Sequence, residues 1–288
     1  MDMSRVSTCS IALNHLPAEK AFETIAGAGY KKVDVHEKVH LSIFPDECDP
    51  AALKAAAEAH GLQIANLAAY AGGGLDGRKT AYSFHGWKVA NPERFTSCGF
   101  SSDDPAELKA EFEQLQRTID LAAFFGARSI RVVPDNDRPD TLDKVVPWFK
   151  RAVEYAAEKK VYMGVENHSA GVAGTPELIM ELAEKVGSPF FGILYEPGNL
   201  MYDTGTDYRA ALEIMKDYIV HCHFKDCKPV GDGYEMQQMG EGAIDFPWIV
   251  EQLDAAGYEG DWALEYELHS PGPEEGLKRF YDDFAAMF

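Results

Sequence analysis

The sequence predicts a closed (β/α)8 barrel. Short apolar runs alternate with helical periodicities from one end of the chain to the other, and eight such pairs fit in its 288 residues. The runs are β-branched and aromatic, as strands buried on both faces should be. An open, doubly wound sheet would show a glycine fingerprint after the first strand. Here the stretch after that strand, Asn14-His-Leu-Pro-Ala-Glu, has no glycine.

The candidate strands, in order, are Val6–Leu13, Lys32–His36, Gln63–Ala68, Ser129–Val133, Tyr162–Glu166, Phe190–Tyr195, Ile219–Phe224 and Trp262–Tyr266. Helices fill the intervals and several mark their own starts. Asp49-Pro50, Asp104-Pro105 and Thr175-Pro176 each put a capping oxygen before a proline suited to the first helical position. Leu108, Phe112, Leu115, Ile119 and Ala122 keep the 3–4 spacing of a buried helix face, and Gly126 follows as a stop. Leu178, Leu182 and Val186 repeat the pattern up to Gly187, and Leu277, Phe280, Tyr281 and Phe284 form the last helix. No composition break marks a second domain, so residues 1–288 are read as a single barrel.

One connection stands out. Residues 71–102 have no clear periodicity but contain Gly72-Gly-Gly, Tyr82, His85, Trp87 and Phe100. Arg78, Lys79, Lys88 and Arg94 make it locally basic. Long structureless loops tend to be functional. The two readings are a lid over an anionic or hydroxylated substrate and a subunit contact.

Composition narrows the function. Against 27 Lys and Arg stand 47 Asp and Glu, giving a formal charge of −20. Such a surface repels phosphodiesters and anionic membranes. No apolar stretch approaches the length of a membrane span. The opening Met1-Asp-Met-Ser-Arg runs into a strand-like segment without a signal-peptide core. The five cysteines, Cys9, Cys48, Cys98, Cys222 and Cys227, include no CxxC pair. Reduced thiols and a cytoplasmic location are therefore expected.

Barrels of this type work at the C-terminal ends of their strands. Four successive strands end in polar groups: Glu166-Asn-His168, Glu196-Pro-Gly-Asn199, His221-Cys-His223-Phe-Lys225-Asp226 and Glu265-Tyr-Glu267. A carboxylate in an apolar strand needs a partner or a metal. Four such ends on one face favour a metal site. Alternation along the strand puts His221, His223 and Lys225 on one face and Glu166 with His168 on another. His221 lies deeper and is read as a satisfied core histidine.

The Glu-Asn-His, Tyr-Glu-Pro-Gly-Asn, His-Phe-Lys-Asp and Leu-Glu-Tyr-Glu segments, with Gly174-Thr-Pro-Glu-Leu and Gly240-Glu-Gly-Ala-Ile-Asp-Phe, resemble the sugar phosphate isomerase/epimerase superfamily. This is the xylose-isomerase-like TIM barrel family. The resemblance runs over nearly the whole chain and is firmest from about residue 102 to residue 270. It implies one divalent ion held by Glu166, Glu196, His223 and Glu265. Glu196 departs from the family's usual Asp. Three carboxylates and an imidazole favour Mn2+, with Mg2+, Co2+ or Zn2+ as alternatives. The resemblance further implies that Glu166 and Glu265 are the acid/base pair. His168, Lys225 and Asn199 are candidate substrate contacts, joined by His36 at the end of strand two.

The expected activity is therefore proton transfer next to the carbonyl of a keto sugar or polyol-derived substrate, as in a metal-dependent isomerase or epimerase. A lyase on the same scaffold, inosose dehydratase-like or cleaving 3-keto glycosides, begins with the same step. A non-catalytic binding subunit and an apurinic endonuclease-like nuclease rank below both. The expected partner is a small carbohydrate, with no nucleic acid and no membrane; homo-oligomers are common in the family. His36-Glu37-Lys38-Val39-His40 matches HExxH, but it follows a strand-like run where that motif needs a helix. Gly72-Gly-Gly lacks the Gly-Lys-Ser/Thr of a phosphate loop, and no serine sits in a Gly-x-Ser-x-Gly elbow.

Overall fold

The computed structural model describes residues 1–77, 91–134, 139–169 and 171–288. Its strands are β1 Val6–Cys9, β2 Lys32–His36, β3 Gln63–Ala71, β4 Ser129–Val132, β5 Tyr162–Glu166, β6 Phe191–Tyr195, β7 Ile219–Phe224, β8 Asp226–Val230, β9 Gly233–Gln237 and β10 Trp262–Leu264. Eight of them close a parallel barrel in the order β1-β10-β7-β6-β5-β4-β3-β2. All eight sequence-predicted strands are present. Three end early: β1 turns into a 3-10 segment at Ser10–Leu13, β4 stops at Val132 and β10 stops at Leu264. β3 runs three residues further than expected, to Ala71.

The outer helices are α1 Ala18–Gly27, α2 Pro50–Ala59, α3 Pro105–Phe125, α4 Leu142–Lys159, α5 Pro176–Val186, α6 Pro197–Thr204, α7 Tyr208–Met215, α8 Phe246–Ala255 and α9 Pro273–Ala285. The three capping signals act as read. Asp49, Asp104 and Thr175 accept from the backbone N–H of Ala51, Ala106 and Leu178. Gly126 and Gly187 close α3 and α5 in the left-handed region. One apolar core runs between barrel and helices, with Trp262, Tyr30, Tyr195, Phe149 and Phe224 among its fully buried members.

An added feature is the antiparallel hairpin β8–β9, which follows β7 directly. Its strands are largely solvent-facing, so no apolar run announces them. Asp226 begins it and accepts the backbone N–H groups of Gly240, Gly242 and Ile244. The Asp of the His-Phe-Lys-Asp segment thus ties down the return of the hairpin.

Of the 71–102 connection, Tyr82, His85, Trp87, Arg78, Lys79 and Lys88 lie outside the described residues. Its two ends are laced together: Phe100 donates to the carbonyl of Gly72, and Leu75 and Asp76 donate to Thr96 and Ser97. The backbones pass so closely that a Cβ on Gly99 would lie 2.0 Å from the Gly72 carbonyl oxygen. Glu111 of α3 pins both ends, accepting from Gly72 N and Thr96 Oγ1. Arg94, counted in the basic cluster of this connection, is forked onto Asp46 and Glu47 and stacked on Phe44.

A candidate active site at the C-terminal mouth of the barrel

Glu166 is the last residue of β5, and its carboxylate is engaged at both oxygens. Oε2 accepts from Nη1 of Arg131 at 2.8 Å, and Oε1 lies 3.1 Å from Nδ1 of His223. Arg131 sits in mid-β4 facing inward, donates Nε–H to the Ala69 carbonyl and stacks on Tyr70. Burial alone would raise the Glu166 carboxyl. The Arg131 guanidinium and His223 hold it well below the usual carboxylate range.

His223 lies on β7, opposite Ala263 of β10. One further ladder bond, from Glu265 N to the Phe224 carbonyl, places Glu265 at the rim beside it. Glu265 Oε1 is 3.9 Å from His223 Nδ1, and its Oε2 accepts from Lys225 Nζ at 2.9 Å. Burial opposes ionisation here too, but Lys225 and His223 pull the Glu265 carboxyl down to about 2. Lys225 also donates to Glu267 at 2.8 Å. The ligand-capable atoms of Glu166, His223 and Glu265 therefore lie within 4.8 Å of one another, all buried.

The fourth expected ligand stands differently. Glu196 is wholly buried at the start of α6, and its Oε1 caps that helix by accepting from Gly198 N at 2.7 Å. Gly198 is needed there, because a Cβ would lie 2.9 Å from that oxygen and 2.7 Å from Cγ of Lys225. Oε2 of Glu196 is buried without a hydrogen-bond partner among the described residues. Burial pushes its carboxyl well above the ordinary range. The structure thus groups three of the four expected ligands and leaves the fourth with an unused oxygen.

The expected substrate contacts divide. His36 ends β2, is buried, and has neither ring nitrogen hydrogen-bonded among the described residues; Nε2 is 3.9 Å from Glu265 Oε1. Lys225 faces the site as described. Asn199 is occupied elsewhere: its amide donates to the Asn167 carbonyl. Asn167 in turn pairs with both backbone groups of Glu196, extending the β5–β6 ladder past the strand ends. His168 pairs outside the Glu166–His223–Glu265 grouping. β5 stops at Glu166, so strand alternation no longer holds two residues later. Its half-exposed ring lies 3.3 Å from Asp203.

His221 is a satisfied interior histidine, 2.6 Å from Asp34 Oδ2. The HExxH residues separate: His36 faces the barrel, Lys38 adopts a left-handed φ of 68°, and His40 turns to the Leu16 carbonyl. Such a backbone cannot present two histidines on one helix face.

A family model described as xylose isomerase-like TIM barrel matches residues 22–282. The chain belongs to that family. Among curated proteins, a putative L-ribulose-5-phosphate 3-epimerase of Escherichia coli is 29% identical over 176 residues, 58% of this chain and 61% of that protein. An inosose dehydratase of Geobacillus thermodenitrificans is 30% identical over 140 residues, 43% of this chain and 47% of that protein. The matches thus span about half to three fifths of those relatives' lengths. Two solved structures share the fold over 98% of this chain. One is an L-ribulose 3-epimerase with a TM-score of 0.72, 16% identity and 93% of that chain covered. The other is the D-allulose 3-epimerase of a Methylomonas species bound to D-allulose, with a TM-score of 0.71, 14% identity and 96% of that chain covered.

Sequence reasoning missed Arg131, Asp34 and Cys9 as neighbours of Glu166 and His223. Arg131 and Asp34 had a usable signal, a charge inside an apolar strand that must find a buried partner. Cys9, whose Sγ lies 3.7 Å from His223 Nε2, had none.

Proposed function

We propose that this chain is a divalent-cation-dependent enzyme that moves a proton on a carbon next to the carbonyl of a keto sugar or polyol-derived ketone. The observation that carries this reading is the buried grouping of Glu166, His223 and Glu265 at the barrel mouth. The donor set fits a hard cation. Asp34, Glu166, Glu196, Glu265 and Glu267 outnumber the fixed cations Arg131 and Lys225 in one buried region, and Glu196 has an acceptor oxygen to spare. Glu166, His223 and Glu265 would hold the ion, with Glu196 Oε2 as the fourth donor. When bound, a divalent ion there supplies polarisation of the substrate carbonyl and stabilises the charge left when the adjacent C–H loses its proton.

The chain's own residues account for the proton movement. Glu265, ionised throughout the neutral range, is the proposed acceptor of the proton, with Glu166 as its partner in the acid/base pair. Lys225 keeps Glu265 in place, and its charge sits where a substrate oxygen gains electron density. His36, neutral because burial and Arg131 depress its basicity, offers one donor and one acceptor to substrate hydroxyls. A closely related reading, loss of water after the same proton abstraction, is supported by the similarity to an inosose dehydratase.

The test is metal analysis of the purified protein followed by incubation with D-allulose, L-ribulose and scyllo-inosose in heavy water with Mn2+. About one divalent ion per chain and deuterium uptake at the carbon next to the carbonyl are expected. Uptake with net loss of water selects the dehydratase reading. A protein that neither binds a divalent ion nor exchanges any of these ketones overturns both.

A further inference from the structure

The geometry points to Asp34 as the residue that decides which nitrogen of His223 faces the cation site. The inference rests on the function proposed above, but the arrangement behind it is independent of any ion. Asp34 lies in mid-β2, fully buried and facing the barrel interior. A lone carboxylate there would be prohibitive, so its partners define its purpose.

Those partners come from two strands, β1 and β7. Ser7 of β1 donates to Oδ1 at 2.7 Å. His221 and His223 of β7 bring their Nε2 atoms to 2.6 and 3.2 Å from Oδ2. Ser7 and His221 alone would satisfy Asp34 as a structural carboxylate, and they hold it so that it cannot swing away. Its remaining capacity is directed at His223. The other group near that nitrogen is the Cys9 thiol, a weak donor and a weak acceptor.

An ionised carboxylate only accepts hydrogen bonds, so the His223 nitrogen facing it carries a hydrogen. Nε2 is thereby fixed as the donor. Nδ1 faces the opening between Glu166 Oε1, at 3.1 Å, and Glu265 Oε1, at 3.9 Å; the same rule puts a hydrogen on it while no cation is bound, and this hydrogen, not the one Asp34 holds on Nε2, is the one a cation would displace. A histidine oriented in this way by an outer carboxylate binds a metal better, and losing such a partner typically costs about 10–100-fold in affinity. Asp34 is thus a positioning residue acting through His223, and Ser7 and His221 position Asp34.

The test compares wild type with Asp34→Asn in Mn2+ titrations and in long-range 15N–1H NMR of histidine-labelled protein, metal-free and with Mg2+. Wild type is expected to show a protonated Nε2 on His223 in both states. Asp34→Asn is expected to bind Mn2+ about 10–100-fold more weakly, with Glu166 still seated on Arg131 in its crystal structure. Ser7→Ala, a milder change for use if Asp34→Asn fails to fold, is expected to weaken Mn2+ binding in the same direction. An unprotonated Nε2 in wild type overturns the inference, whether or not a cation binds. So does wild-type Mn2+ affinity in Asp34→Asn or, if that variant does not fold, in Ser7→Ala. A wild-type protein that binds no cation but has Nε2 protonated overturns the proposed function and, with it, the catalytic purpose given to Asp34.

Discussion

Arg131 and Glu166 form an ion pair at 2.8 Å inside the barrel, with both side chains almost fully buried. The guanidinium is fixed from other sides by the Ala69 carbonyl and the Tyr70 ring. Glu166 therefore cannot rotate away from His223 without breaking a buried charge pair. The pairing makes that carboxylate rigid and favours its ionised form, which suits a ligand that must not drift.

Removing one side of such a pair leaves the other charge uncompensated. Arg131→Met is expected to destabilise the fold by about 3–5 kcal/mol, read from urea unfolding. Replacing both partners, Arg131→Met with Glu166→Leu, should recover much of that loss while abolishing cation binding. A single mutant as stable as wild type would show that the pair does not hold Glu166.

Glu265 is the assigned base. Glu265→Gln keeps the shape of the side chain and is expected to lower deuterium exchange by about 10²–10⁴-fold. Exchange at the wild-type rate would assign the proton transfer to another group.

Glu196 has two separable tasks. Its Oε1 caps α6 and its Oε2 is unused. Glu196→Gln should keep the cap through its amide oxygen but lose cation affinity. Glu196→Ala should lose both, with about 1 kcal/mol of stability for the missing cap. Equal Mn2+ affinity in wild type and both variants would remove Glu196 from the ligand set.

Glu265 also sets a pH dependence in the metal-free protein. Its carboxyl is lowered from 4.5 to about 2 in the folded chain. Between those values the unfolded chain binds more protons, so a fall in pH favours unfolding. The stabilisation is fully present above about pH 5 and is lost as the pH falls toward 2. Thermal melts of Glu265→Gln should be less steeply dependent on pH across that window than those of wild type. Identical slopes would contradict the assignment.

The barrel was legible because its strands are short apolar runs whose ends are marked by charge. Glu166, His223 and Glu265 stood among the polar groups at the strand ends for the same reason, and the resemblance to the family singled them out. The exposed hairpin β8–β9 was not legible. Its strands are largely exposed beyond Cys227, so no alternation of apolar and polar residues reveals them. The hydrogen-bond partners of His168 and Asn199 were not legible for a different reason. His168 lies past the end of β5 and Asn199 lies inside α6, where side-chain direction no longer follows the strand period of two.

By itself, then, the sequence determined the order of strands and helices, the helix caps and the charged groups at the strand ends, because periodicity and burial are local properties. Only the tertiary structure decided which groups meet. Pairing β1 with β10 closes the barrel and brings Cys9 within reach of His223, 214 residues away. The same closure sets Asp34 against His221 and His223, 187 and 189 residues further along the chain. Within the barrel, Arg131 meets Glu166 from the neighbouring strand. A periodic pattern says which face a side chain occupies. Which partner it finds there depends on strand order, register and closure.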